Sequence, residues 1–347
     1  MDKLQAIRWS ALALDRLRGF PFAPVYGGVG HVLMFHRVLP ACGCPRLSAN
    51  SYLELTPEFL VDIIHYFSSK GYRFLSMDDI PDRLTDRSGP PFVVFTFDDG
   101  FRDVMEVAWP ILRRCGVPIT IYVATDFPDG RAVLWWNALE QLLLQRSNLR
   151  FALGDRSYEF SLLTIEEKNR AFKSIHSLIK GNGGGDAVRL QEQFFHGLGV
   201  DPRAETRSVA LNWEELRWLA DQPGVVIGAH TCSHPVLSQL NRAEASAEIL
   251  QGKILLENKL QRVVKHFAYP FGGRPEAGKR ERLLAEQAGF ITAVTTRSAN
   301  LFPAHSRHLL ELPRICVGMS MTIHTLDLIR HGVIPMVRNR GRRVVTL

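Results

Sequence analysis

The sequence is poor in cysteine and spaces it irregularly: the five thiols of this 347-residue chain stand at positions 42, 44, 115, 232 and 316. An odd, unpatterned set argues against a disulfide framework and fits reduced thiols. Cys42 and Cys44 could chelate a metal, but no second pair accompanies them, so loop thiols are the preferred reading. Long apolar runs are also missing: no stretch approaches the roughly 20 apolar residues that span a bilayer. The N-terminal MDKLQAIRWSALALDRLRGF opens with charge, as a signal peptide does, yet Asp15, Arg16 and Arg18 interrupt what would be its apolar segment, so no cleaved signal is expected. Together these absences predict a cytoplasmic protein, with the inner membrane face as its outer limit. There is no low-complexity segment and no defensible internal repeat.

What is present is core-forming material and a modest positive charge. Hydrophobic residues make up 46% of the chain, enough for one large α/β domain or two ordinary ones. Lys and Arg number 42 against 35 Asp and Glu, a net +7. The excess gathers near the end, in Arg338, Arg340, Arg342 and Arg343. Such a segment suits peripheral association with an anionic membrane surface or acidic glycolipid, or simply a solvated terminus; nucleic acid is not expected as a partner.

From about residue 31, short apolar runs alternate with helical patterns. HVLMFH precedes TPEFLVDIIHYFSSKG, where Phe59, Ile63 and Phe67 repeat at helical spacing. RFLSM and PFVVFTF follow, then a helix over FRDVMEVAWPILRRCG and the strand PITIYVAT. Between about 131 and 210 longer helical segments take over, separated by a hairpin at LRFALGDRSYEFSL and the breaker GNGGG. Alternation resumes with NWEELRWLAD, VVIGAH, a long helix across 242–261, HFAYP, KRERLLAEQAGF, ITAVTT and LPRICV. Roughly seven or eight strand–helix units with continuously apolar strands predict a parallel α/β barrel carrying a mostly helical insertion.

Three strand ends carry chemistry. PFVVFTF ends in Asp98, Asp99 and Gly100, where two adjacent carboxylates repel unless something compensates. A divalent cation on one would leave the other as a general base; alternatively either aspartate caps the helix that follows. VIGAHTCSH places His230 and His234 four apart, so both imidazoles can reach one ion if the intervening residues begin a turn. Two imidazoles and a carboxylate leave room for water, as a hydrolytic metal requires. Thr231 and Ser233 would position that water or cap the turn, with capping preferred for Ser233. HFAYPFGG runs into Pro270 and two glycines, where backbone N–H groups could meet an oxyanion or the chain merely turn. His36, closing the first strand, could line the same face; His65, His176 and His196 lie in helical patterns; His305, His308 and His324 are late enough to supply an acid, with nothing to single one out.

Taken together, TFDDG at 96–100, HTCSH at 230–234 and YPFG at 269–272 resemble the polysaccharide deacetylase family, the NodB-homology carbohydrate esterases. The resemblance extends through LMFHRV, FRDVMEVAWPILRRCGVPITIYVAT, NWEELRWLA, the GF–ITAVTT segment and LPRI, covering about 31–318. It implies a distorted (β/α) barrel of about seven strands over 31–320, with the insertion at about 131–210, an N-terminal extension 1–30 and a basic C-terminal segment 321–347. It also implies metal-dependent removal of acetyl groups from GlcNAc-like sugars of a bacterial polysaccharide, oligosaccharide or lipid-linked precursor. Carried over by position, Asp98 is the base and Asp99, His230 and His234 hold the ion, Zn²⁺ foremost with Co²⁺ or Ni²⁺ as alternatives. The N–H of Phe271 after Pro270 faces the oxyanion, and Tyr269, Thr231 and His36 belong to the same rim.

Two departures stand out. Ala268 occupies the position where the family's third motif usually carries the arginine that orients the base, which makes Arg314 of LPRI a substitute. The late Leu-x-His motif that supplies the acid has no counterpart after residue 300. The FAYPFG form resembles the branch tied to bacterial exopolysaccharide and surface glycans. Trp135 and Trp136 are candidates for stacking on sugar. The rival readings are an amidohydrolase acting on a non-sugar C–N bond and a glycan-binding protein without turnover.

Overall fold

The computed structural model describes residues 23–346 except 42, 44, 87, 154–155 and 182–186, so the Cys42–Cys44 pair and residues 1–22 lie outside the described residues. Among the described residues twelve strands follow in chain order: β1 (Gly30–Phe35), β2 (Arg37–Val38), β3 (Glu54–Leu55), β4 (Arg73–Leu75), β5 (Phe92–Phe97), β6 (Ile119–Val123), β7 (Asn148–Leu153), β8 (Arg156–Ser161), β9 (Val225–Ala229), β10 (His266–Ala268), β11 (Thr292–Val294) and β12 (Ile315–Cys316). The main sheet is parallel throughout, in the order β11-β10-β9-β6-β5-β1-β12. β4 pairs with the first half of the β5 edge whose second half pairs with β6. The two ends of the order meet at a single parallel bridge, Val294 to Leu312, just before β12. This is the α/β barrel of seven strands, with β4 added at its base.

Every residue of β1, β5 and β6 is buried, because a parallel barrel covers its outer face with helices and fills its interior with side chains. Alternation sorts the two faces. Leu33, Phe35, Phe95 and Phe97 pack outward against Leu60, Ile63 and Phe67 of the helix Pro57–Ser69. Val32, Phe92, Val94, Tyr122, Ala268 and Val294 form the interior. On β5 the inward residues fall on even numbers, so Asp98, one step past the strand, continues the inward row.

The helix expected over FRDVMEVAWPILRRCG is split: a π-helical turn, Val104–Ala108, precedes the α-helix Trp109–Arg114. Pro110 has no N–H to continue the i→i−4 ladder, and the wider turn absorbs the loss.

Between β6 and β9 stand the helix Trp135–Gln145, the antiparallel β7–β8 hairpin and the helices Ile165–Gly181, Ala187–Gly197 and Pro202–Val209. This lobe has a core of its own around Leu139, Leu143, Phe172, Ile175 and Phe195. Arg46 ties it to the barrel, gripping Glu54 on β3 and Glu140 on the helix Trp135–Gln145. The C-terminal residues form the helices Ile323–Arg330 and Val333–Arg338. They are packed: Tyr66 donates to Asp327 at 2.7 Å, and Asn339 donates to the Ser298 carbonyl at 2.9 Å. No helix among the described residues is long and apolar enough to cross a membrane.

Candidate active site

Asp98 and Asp99 leave the same strand end with opposite surroundings. Asp98 accepts both guanidinium N–H groups of Arg314, Nη1 to Oδ1 at 2.6 Å and Nη2 to Oδ2 at 2.7 Å. Arg314 is wholly buried and is itself fixed by donating to the Thr295 carbonyl and the Thr96 hydroxyl. Burial alone would push the Asp98 carboxyl up, but the Arg314 charge and its paired hydrogen bonds hold it down at about 2. It is an ionised, oriented carboxylate at the barrel mouth. Ala268, in the interior wall, is small, and the guanidinium reaches Asp98 from Arg314, just ahead of β12.

Asp99 turns the other way. Its backbone is left-handed, φ 71°, as is that of Gly100, also at 71°, and the double reversal swings its carboxylate toward the histidines. Asp99 Oδ1 lies 3.6 Å from His230 Nε2 and 3.4 Å from His234 Nε2, and it is buried with no hydrogen-bond partner. Neither aspartate caps the following helix.

His230 Nδ1 is 2.7 Å from the Ala268 carbonyl. A carbonyl only accepts, so the proton resides on Nδ1 and the Nε2 lone pair is left facing Asp99. Burial, and then the charge of Asp98, pushes the Asp99 carboxyl well above the ordinary range. Burial likewise pushes His230 down, and burial together with His230 pushes His234 well down. Two neutral imidazoles and one carboxylate that burial has left without a counter-charge are the N/O donor set a zinc-type dication takes. Two donors each about 2.0–2.1 Å from one tetrahedral ion stand about 3.3–3.4 Å apart, close to the observed spacings. The residues fit the ion.

Among the described residues, six non-glycine residues have positive φ, and four of them are Asp99, Thr231 (68°), His234 (60°) and Phe271 (58°). A left-handed threonine is unusual, and its concentration with the others at one mouth marks a functional site. Thr231 is held there by its hydroxyl, which donates to the His230 carbonyl and accepts the His234 N–H at 3.1 Å. It shapes the turn and is not free to position water. Ser233 donates to Glu248 Oε1 at 2.8 Å, and the N–H groups of Cys232 and Ser233 both donate to Glu248 Oε2 at 2.9 Å.

Glu248 is a residue the sequence reading missed. It lies on the helix Arg242–Leu260, one turn before Gly252, where a Cβ would stand 2.8 Å from the Thr231 backbone. The glycine lets the helix press against the histidine turn while the glutamate caps it. The available signal was a Glu and a Gly four apart in a helix following the histidines.

At the third strand end, Gly272 N–H donates to the Pro270 carbonyl at 2.6 Å, and the Phe271 carbonyl accepts from the Thr296 hydroxyl at 2.6 Å. The Phe271 N–H has no acceptor among the described residues. Its ring stands 4.8 Å from that of His234. Tyr269 does not belong to the rim: it is fully buried, and its hydroxyl donates to the Leu310 carbonyl at 2.9 Å. Ala268 points inward, so strand alternation sends Tyr269 into the outer core beside Phe267.

His36 closes β1 at the same mouth. Burial pushes its ring down to about 4 against the pull of Asp98, with Arg314 and His230 adding to the depression, and its Nδ1 is buried without a partner. His176 rests against Trp135 at 4.9 Å, while His65 and His196 are exposed. His305 Nδ1 accepts the Phe302 N–H at 3.0 Å, and His308 pairs with Glu311 at 2.8 Å; both are occupied in local turns. The tryptophans part company: Trp135 is buried in the lobe core, whereas Trp136 is half-buried with its ring 5.4 Å from His234.

Residues 195–292 match the polysaccharide deacetylase family model. That stretch contains HTCSH and YPFG, while TFDDG precedes it. No curated protein matches the chain. Among solved structures, a Streptococcus pyogenes deacetylase, PplD, in complex with acetate is similar at 19% identity and TM-score 0.57, over 86% of this chain and 97% of that one. A de-N-acetylase from Aggregatibacter actinomycetemcomitans is 13% identical, TM-score 0.56, over 86% and 99% respectively. IcaB from Ammonifex degensii is 16% identical, TM-score 0.55, over 88% and 98%. These similarities share the barrel fold.

Proposed function

We propose that this chain, which carries a polysaccharide deacetylase domain and is a hydrolase of carbon–nitrogen bonds, removes N-acetyl groups from GlcNAc-like units of a bacterial polysaccharide, oligosaccharide or lipid-linked precursor. The observation that carries the reading is the division of one dipeptide: Asp98 locked to Arg314, Asp99 turned to His230 and His234. Asp99 Oδ1 and the two Nε2 atoms are the groups that would hold a dication, Zn²⁺ before Co²⁺ or Ni²⁺. Such an ion, when bound, polarises the acetamide carbonyl and makes its water acidic.

The chain's own part is proton handling and orientation. Asp98, kept ionised and fixed by Arg314, takes the proton of the attacking water. Phe271 N–H, held open by its left-handed backbone, faces the oxygen that gains charge. The late histidines His305 and His308 are bound in turns of their own, which favours a group at the mouth for returning the proton. Asp98 fills that role as well: having taken the proton of the water, it can pass it to the departing amine from the same oriented position. Water and amide then yield acetate and a free sugar amine. The ring of Trp136, half-open beside His234, offers a face on which a sugar can lie.

The pairing of Arg314 with Asp98 removes the main motive for an inactive binding protein, since the orientation expected from an arginine at 268 is supplied from 314. The test is acetate release from N-acetylated chitooligosaccharides and from a panel of non-sugar amides, with Zn²⁺, Co²⁺ or Ni²⁺ added. Chelator-sensitive release from the sugars supports the reading. Turnover of the amides alone, or none anywhere, overturns it.

A further inference from the structure

The mouth is bounded by a circuit of side-chain contacts that passes through the inserted lobe. Lys180, in the last turn of the helix Ile165–Gly181, donates to Glu276 Oε1 at 2.6 Å and holds its ammonium 4.6 Å from the centre of the Phe271 ring. That ring meets His234 at 4.8 Å, His234 meets Trp136 at 5.4 Å, Trp136 meets Trp135 at 5.6 Å, and Trp135 meets His176 at 4.9 Å. His176 lies one turn before Lys180 on the same helix, which returns the circuit to its start. Lys180 belongs to the lobe by sequence and to the mouth by contact.

The end of this helix is held at the mouth from two sides. Gln239, in the loop after the histidine turn, donates its side-chain amide to the Lys180 carbonyl at 3.0 Å. Beside it, Ser238 donates its hydroxyl to the Pro275 carbonyl at 2.7 Å and its N–H to the Glu276 carbonyl at 3.2 Å. Glu276 folds back over its own turn, where a Cβ at Gly273 would collide with its Oε2, so a glycine there leaves the carboxylate room to face Lys180. The ion pair is partly shielded, with the lysine side chain 29% and the glutamate side chain 12% exposed, and water screens it less than a pair on the open surface.

Phe271 needs such support. Its φ of 58° is one that a bulky residue rarely adopts and that persists only where the surroundings impose it. Its N–H has no acceptor among the described residues, so the direction of that N–H is set by whatever fixes the rest of the residue. Thr296 holds the carbonyl; Lys180 and His234 meet the ring. We propose that Lys180 is a positioning residue: anchored by Glu276, its ammonium holds the Phe271 ring against His234 and so aims the Phe271 N–H at the oxygen that gains charge. A cation over a ring face is drawn to it by the ring quadrupole, which gives the contact its strength. The inference rests on the deacetylase reading above and adds to it a residue from the lobe. Because the N–H meets charge that develops only in the transition state, a loosened ring lowers kcat and leaves KM alone.

The experiment follows acetate release from N-acetylated chitooligosaccharides and, without substrate, the amide resonance of Phe271 in full-length protein labelled at phenylalanine nitrogen, assigned by its absence from Phe271→Leu. Lys180→Met keeps the stem and removes the charge. Its kcat should fall roughly tenfold, a fraction of the roughly 10²–10³-fold that outright loss of an oxyanion donor costs, with KM unchanged and the Phe271 resonance shifted. Glu276→Gln, which releases the lysine, should move both readouts the same way and carries the test should Lys180→Met fold poorly. Lys180→Arg keeps a cation over the ring and a partner for Glu276, and should restore kcat to within about threefold of the parent and return the resonance. A role confined to docking the lobe would lower the melting temperature of Lys180→Met and leave its kcat and resonance as in the parent, which would overturn the proposal. A rise in KM with kcat kept, or a loss that Lys180→Arg fails to repair, would overturn it too. A parent that releases no acetate would end the deacetylase reading, whereas an unmoved resonance in Lys180→Met would end this one, so the two failures are told apart.

Discussion

The barrel mouth and the inserted helical lobe are built from the same chain by opposite means. The lobe is relaxed: amphipathic helices bury Leu139, Leu143, Phe172 and Phe195 in a common core, and its hairpin pairs residue for residue. The mouth gathers four left-handed non-glycine residues, two adjacent carboxylates, a wholly buried arginine and buried side-chain atoms of Asp99 and His234 without partners. Such an arrangement is unfavourable for folding and persists because the rigid strands beneath it fix its geometry. The difference points to the mouth, and not the lobe, as the place for the proposed chemistry.

Substitutions that strike the mouth should therefore cost activity out of proportion to stability, and those in the lobe the reverse. The largest expected effect is His234→Ala, which takes one donor from the ion. Its loss in acetate release should exceed the roughly 10–100-fold that outer-shell changes cost. Retained zinc at one ion per chain would break the comparison. Arg314→Lys comes next, since a point charge cannot reproduce the two-pronged grip on Asp98. Arg314→Ala should in addition destabilise by about 3–5 kcal/mol, because it leaves a buried carboxylate unpaired. Thermal melting reads the stability cost and kcat the catalytic one.

Glu248→Gln should weaken metal affinity by roughly tenfold or more, through a loosened histidine turn, with little change in substrate KM. The smallest catalytic effect belongs to the tryptophan pair. Trp135→Ala should cost about 3–5 kcal/mol of stability, being core. Trp136→Ala should leave the melt nearly unchanged and raise KM roughly two- to tenfold, the value of about 0.5–1.5 kcal/mol for a stacked ring. An equal melting loss for both would place Trp136 in the core and withdraw it from the groove.

The mouth also carries a pH signature in the metal-free protein. Asp98 is depressed to about 2 against 3.8, so its share of stability is present above the ordinary value and is lost as pH falls from about 4 toward 2. Asp99 is raised by burial and by Asp98, so its share has the opposite sign and is lost as pH rises through its folded value. An ion favours the ionised carboxylate, so metal entry releases whatever proton Asp99 holds, and affinity should fall with falling pH. Calorimetry of zinc binding in buffers of different ionisation enthalpy reads that proton directly; an enthalpy independent of buffer would contradict the opposed pair.

Much of this was legible in the sequence because strand alternation and motif spacing report geometry. Even-numbered inward residues on β5 carry Asp98 to the interior, and the four-residue spacing of His230 and His234 suits one ion. The same alternation, applied to HFAYP, would have removed Tyr269 from the rim, where the motif resemblance alone placed it. Arg314 was anticipated as the partner of Asp98 because Ala268 left a role vacant. Glu248 was not legible, since its helix sits beyond the motif and only tertiary packing brings it back under the turn. The basic end read as a tail from composition; Gly332, Asn339 and Val345 fix it against the barrel through contacts that no local pattern announces.

In the proposed reaction two neighbouring aspartates divide the work, Asp99 holding the ion and Asp98 moving protons. This division is tested most directly by measuring bound zinc per chain and acetate release side by side in Asp98→Asn and Asp99→Asn. Asp98→Asn should keep its zinc and lose acetate release by roughly 10²–10⁴-fold or more, while Asp99→Asn should lose both. An Asp98→Asn protein that sheds its zinc, or that still releases acetate at the parental rate, would contradict it.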